Sequence, residues 1–137
     1  MRTASLCAPL AALLMLVGCD GRAKQSKFDD LHPVAGTISA AGKPVSGGTV
    51  RFMPDPDKPD FLINSEVGTD GRFKLTTVRT NDSVGERKPG APAGKYKVTY
   101  TPSVVDQTSG YKAPVTLPAP VSVEAKDNDL KIQLPKR

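Results

Sequence analysis

From Val34 onward, apolar and polar residues alternate with a period of two, the mark of half-buried strands. Val34, Gly36 and Ile38 share one face of the first strand, with Ala35, Thr37 and Ser39 on the other. The stretch 41–44 (Ala-Gly-Lys-Pro) reads as a turn and returns Val45 to the core. After Ser46-Gly47-Gly48, the strand 49–53 points Val50 and Phe52 inward and Arg51 outward. Residues 54–60 carry three prolines and three aspartates and read as a loop. Residues 61–67 form another strand, and Asp70-Gly71 is a hairpin dipeptide. Residues 72–76 follow, with Phe73 and Leu75 inward and Arg72, Lys74 and Thr76 outward. Residues 79–93 read as a long polar loop. The clearest strand comes next, with Tyr96, Val98 and Tyr100 on one face and Lys95, Lys97 and Thr99 on the other. Val121 and Val123, then Leu130, Ile132 and Leu134, mark two more, with 127–129 (Asp-Asn-Asp) as the turn between them.

This pattern predicts an all-β chain of about seven short strands without an amphipathic helix, an antiparallel β-sandwich with Greek-key-like connections. Thirteen prolines agree with it, since each lacks the N–H that a helix interior needs. Burial of Phe52, Phe73, Leu75, Val98, Ile132 and Leu134 contributes roughly 1.5–3 kcal/mol each.

The first residues follow a different pattern. Residues 6–17 are apolar apart from Cys7 and Pro9, too short a run to span a bilayer. Preceded by Arg2, the run has the form of a signal-peptide core. It ends in Leu16-Val17-Gly18-Cys19, which resembles the bacterial lipobox. That resemblance implies cleavage between Gly18 and Cys19 and a diacylglycerol thioether on Cys19. Two other readings stay open. Ordinary signal peptidase would cut after Ala23, releasing the chain, and an uncleaved anchor would keep residues 1–18, although Asp20 and Arg22 end the apolar run abruptly. Asp20 fits a pattern that favours inner-membrane retention in some Gram-negative bacteria. Cys7 and Cys19 are the two cysteines, so cleavage and acylation leave no free thiol and no disulfide. The expected organisation is a signal peptide over 1–18, a flexible tether over 19–32 and one domain over 33–137.

Arg2 is the one charged residue before Cys19, so removal of the signal leaves 18 basic and 14 acidic side chains. The basic residues are scattered, which reads as a solvated charged face, with weak attraction to anionic headgroups or envelope polymers as the functional alternative. An exported chain of this kind excludes nucleic acid as a partner.

The order of elements resembles the carboxypeptidase regulatory-like domains, which share a transthyretin-like, Ig-like sandwich. The matching residues are Val34-Ala35-Gly36-Thr37, Gly42-Lys43-Pro44-Val45, Gly48-Thr49-Val50-Arg51-Phe52, Thr69-Asp70-Gly71-Arg72-Phe73 and Pro92-Ala93-Gly94-Lys95-Tyr96-Lys97-Val98, with Gly110-Tyr111 later. The resemblance covers about residues 33–135 and implies a fold more than an activity. The hydroxyisourate hydrolases of the wider fold rely on paired histidines, an arginine and a C-terminal Tyr-Arg-Gly-Ser. This chain has His32 alone and ends Leu134-Pro135-Lys136-Arg137, so that activity does not carry over.

Chemistry-bearing residues are few. His32 has no legible partner for acid–base work. Asp55, Asp57 and Asp60 offer oxygen ligands but lack an EF-hand spacing and read as a solvated loop. Tyr96 and Tyr100 lie on the core face, which leaves Tyr111 as the tyrosine free for glycan or partner contact. The sequence thus predicts no catalytic residues, no metal and no cofactor. It predicts a lipid-anchored protein on the extracytoplasmic face of the cell membrane or outer membrane, held through Cys19. The domain would act as a non-catalytic structural or protein-interaction module for an envelope protein, with glycan binding as the alternative.

Overall fold

The computed structural model describes residues 25–104 and 113–136. Every regular element among them is a strand. In chain order these are β1 (Leu31–His32), β2 (Val34–Ala40), β3 (Lys43–Pro44), β4 (Thr49–Asp55), β5 (Phe61–Glu66), β6 (Arg72–Lys74) and β7 (Thr76–Arg79). There follow β8 (Arg87–Pro89), β9 (Ala91–Pro92), β10 (Gly94–Thr101), β11 (Val115–Thr116), β12 (Val121–Val123) and β13 (Asn128–Gln133). The described residues are all-β, as the alternation predicts.

The larger sheet has seven strands. β10 lies beside β4, followed by β5, β7 and β8, and its other edge is shared by β12 and β11. The smaller sheet is centred on β2, with β13 on one side and β3 and β6 on the other. A two-residue ladder, β1 with β9, ties the N-terminal segment to the chain just before β10. The sheets meet across a common core. Phe52 of β4 and Phe73 of β6 come from different sheets, and their ring centroids lie 6.1 Å apart. Val34, Ile38, Val45, Val50, Ile63, Val98 and Leu134 fill the space around them.

Most inward positions fall where the alternation puts them. β2 alternates between buried and half-buried along its whole length. Val50 and Phe52 are buried, with Arg51 exposed between them. In β10, Tyr96, Val98 and Tyr100 are buried. The Ala41-Gly42 pair closes a two-residue hairpin, with φ of 50° and 79° and Ala40 paired with Lys43. Positive φ at both centres is what this hairpin type demands. Gly71 is required for a second reason as well. Besides its φ of 77°, a Cβ there would stand 2.7 Å from the Ile38 carbonyl oxygen.

Three features differ from the sequence reading. The expected seven strands are, among the described residues, thirteen segments, several only two residues long. The expected single strand over 72–76 breaks at Leu75. β6 pairs with β2 in the smaller sheet, whereas β7 pairs back with β5 in the larger. The expected polar loop over 79–93 holds β8 and β9, and β7 runs up to Arg79 at its start. β7 hides from an apolar pattern because its buried residues are Thr77 and Arg79. Thr77 satisfies its hydroxyl by donating to the Gly90 carbonyl at 2.8 Å.

The arrangement is also not wholly antiparallel. β13 pairs with β2 in parallel, from Asn128↔Val34 to Gln133↔Ser39. The path of the chain explains this. β12 runs antiparallel to β10 and ends opposite Gly94, at the end of the domain where β2 begins. Crossing there to the other sheet sends β13 the same way as β2. Asn128 fastens the crossing, its side chain meeting Glu124 N at 2.9 Å, Glu124 O at 3.0 Å and Lys126 O at 2.6 Å. The expected turn over 127–129 therefore lies earlier, and Asn128 opens the strand.

Candidate functional site

The stretch expected as flexible tether over 19–32 is, from Gln25 onward, laid against the domain. Phe28 is the main anchor. Its ring lies 5.3 Å from that of Phe61, between centroids. The Arg79 guanidinium stands 4.7 Å and the Lys88 ammonium 4.6 Å from the Phe28 centroid. Such contacts contribute about 0.5–1 kcal/mol each where partly exposed. Asp29 pairs with Lys58, Ser26 donates to Asp60, and Asn81 Nδ2 donates to Ser26 Oγ at 3.1 Å. β1 completes the attachment. Phe28 and Leu31, the large apolar residues of this polar stretch, are the sequence signal for docking, because each has apolar surface to bury.

Arg79 is the centre of this cluster, its side chain 9% exposed. It pairs with Asp82 at 3.4 Å and Glu86 at 3.1 Å, and Nη1 donates to Gln25 Oε1 at 3.1 Å. Its Nε has no hydrogen-bond partner among the described residues. The arrangement is a clamp built from charge pairs and ring faces, made of strand ends and held by the β5–β7–β8 ladder.

Beside the clamp is a pocket of about 180 Å³, lined in part by Phe28, Leu31, Pro54, Pro56, Phe61 and Tyr96. The docked segment thus forms one of its walls. The Tyr96 hydroxyl donates to the Pro92 carbonyl at 2.6 Å. Burial, and secondly the Asp29 carboxylate, push its phenol from 10.0 up to about 12. The folded chain therefore holds this proton more tightly than the unfolded chain. The stabilisation is complete below pH 10 and falls as pH rises towards about 12, by on the order of 2 kcal/mol. Tyrosine ring-carbon NMR, assigned with Tyr96→Phe, should place this midpoint near 12. A midpoint at the ordinary value would contradict the burial argument.

The residues singled out from sequence are scattered. Gly18, Cys19 and Tyr111 lie outside the described residues. His32 enters the β1–β9 ladder through its backbone opposite Ala91. Asp60 is engaged by Ser26, and Asp55 closes β4 opposite Lys95. Among the described residues no three His, Cys, Asp or Glu side chains gather to hold a metal ion. Tyr96 and Tyr100 are core residues, and the Tyr100 hydroxyl donates to the Gly47 carbonyl at 2.8 Å.

A second feature escapes sequence reading entirely. Among the described residues β13 has β2 as its sole strand partner. Asn128 N donates to Pro33 O at 2.9 Å and Leu134 N to Ser39 O at 2.8 Å. By the alternation of a parallel ladder, the even positions bond β2, and the N–H and C=O groups of Asp129, Lys131 and Gln133 face outward. Among the described residues this is the longest open edge. β8 offers three residues ending in Pro89, and β3, β6, β11 and β12 offer two or three each. Comparisons with protein-family models, with curated proteins and with solved structures found no match to this chain.

Proposed function

We propose that this chain is a lipid-anchored protein of the bacterial envelope whose transthyretin-like β-sandwich is a non-catalytic protein-interaction module. It lies on the extracytoplasmic face of the cell membrane or outer membrane, held by the lipid on Cys19, and takes up an extended segment of a partner protein along β13. The open β13 edge carries the reading. An unpaired edge is a template for strand addition, with backbone bonds giving affinity and side chains giving selectivity. Two facing sheets and turns at Gly42 and Gly71, where the resemblance needs them, support the sandwich. The exposed residues along the edge alternate Asp129, Lys131, Gln133. Opposite charges directly across a ladder are favourable and like charges are not. The fitting segment is therefore extended and presents an acidic residue to Lys131 and a basic one to Asp129.

The test is cross-linked capture of the lipidated protein from its native envelope, wild type against Lys131→Pro. Proline on an edge strand with its nitrogen facing outward removes no bond of the domain's own ladder. The expected result is a recurrent protein partner, lost at least about tenfold in Lys131→Pro with thermal stability little changed, as for a surface substitution. Equal recovery with both forms overturns strand addition. Recovery of glycan without protein overturns the reading in favour of a glycan-binding module. Sedimentation of the pure protein excludes or reveals a second copy as the segment taken up, and a Lys131-dependent dimer would overturn a separate partner.

A further inference from the structure

We infer that the turn over residues 81–85 is the membrane-contacting tip of the domain, with Val84 seated at the headgroup boundary of the bilayer that carries the lipid on Cys19. This rests on the lipid-anchor reading and adds to it a surface and an orientation.

The first observation is exposure with order. Val84 is 85% exposed. It is nonetheless held in place, since its N–H donates to Asp82 Oδ1 at 2.9 Å and Gly85 N donates to Asp82 O at 3.0 Å. The Asp82 carboxylate is in turn fixed by Arg79. An apolar side chain at the apex of a turn braced by a buried ion pair is presented outward.

The second observation is position. Asn81 bonds Ser26 and Arg79 bonds Gln25, so the turn and the start of the docked segment are joined. Gln25 is six residues from Cys19. Even fully extended, that link reaches about 22 Å. The end of the domain bearing Val84 is thereby confined to the neighbourhood of the lipid. The same link carries Arg22 and Lys24 against Asp20, a basic bias suited to anionic headgroups.

The third is the internal contrast. Val104, the other large apolar residue fully exposed among the described residues, is at the opposite end. Arg79 pairs with Phe61, two residues before Ile63, which pairs with Phe52 and so lies level with Val98. Arg79 is therefore level with Tyr96, and five residues of β10 separate that level from Thr101. At strand rise this is about 17 Å, before either turn is added.

Because signal cleavage removes Cys7 and acylation blocks Cys19, Val84→Cys and Val104→Cys each create a single thiol in the mature protein. The test places a fluorophore at either position of the lipidated protein. The protein is reconstituted in vesicles of phosphatidylethanolamine and phosphatidylglycerol with nitroxide-headgroup lipid. The expected result is quenching several-fold stronger at position 84 than at 104. Equal quenching, or stronger quenching at 104, overturns the inference. Mass spectrometry of the N-terminal peptide from the same sample separates the causes. An acylated Cys19 with equal quenching refutes the orientation alone, whereas an unmodified N-terminus refutes the anchor and the orientation with it.

Discussion

Val98→Asp should abolish cooperative folding, while Lys97→Asp, one residue away on the same strand, should leave the domain standing. Val98 is 1% exposed on β10, the strand that joins β4 on one side to β11 and β12 on the other. Its side chain lies in the core with Phe52 and Phe73, and its carbonyl accepts from Leu117 N at 2.9 Å. A carboxylate there has no cation to meet and must either be protonated or draw water into the seam between the sheets. Loss of the valine contact removes about 1.5 kcal/mol or more, and burial of an unpaired charge adds several more. The sum of at least about 4 kcal/mol is a large share of the 5–15 kcal/mol that holds a typical domain together. Lys97 is exposed, so its replacement should shift stability by no more than about 0.5 kcal/mol. Urea denaturation followed by circular dichroism checks both. A normal urea midpoint for Val98→Asp would mean that β10 is not the centre of the core.

That contrast was open to sequence reading because every inward residue of β10 is apolar. β7 shows the opposite case. Its buried positions are Thr77 and Arg79, one bonded to a carbonyl and the other paired with carboxylates, so no apolar period marks it. Alternation also reports which face a residue takes but not which strand lies beside it. Leu130, Ile132 and Leu134 point to the core whether β13 pairs in parallel or not, and the parallel pairing with β2 is decided by where β12 ends. The proposed site inherits the same limit. The edge at Asp129, Lys131 and Gln133 depends on the outward direction of backbone groups, which side-chain pattern does not encode. The clamp is half legible. Phe28 and Leu31 stand out in a polar stretch, yet the cations that bracket Phe28 come from Arg79 and Lys88, some fifty to sixty residues further on.

Arg79→Ala should lower stability by about 3–5 kcal/mol and release the docked segment together. The guanidinium holds Asp82, whose side chain is 7% exposed, as well as Glu86, Gln25 and the face of Phe28. Its removal strands a buried carboxylate and takes one of two cations from the ring. Arg79→Met keeps much of the aliphatic packing and separates loss of charge from loss of contact. Both variants should show faster tryptic cleavage after Lys27 under native conditions, and the urea midpoint should fall further for alanine. Unchanged cleavage would mean that β1 and the Asp29–Lys58 pair suffice to hold the segment. On the proposed lipid anchor, the consequence would reach the bilayer. Undocking residues 25–32 adds eight residues to the link, about 28 Å of further reach. A fluorophore at position 84 should then be quenched far less by headgroup nitroxides, even though the proposed lipid on Cys19 is untouched. One buried arginine would in this way set both the stability of this end of the domain and its height above the membrane.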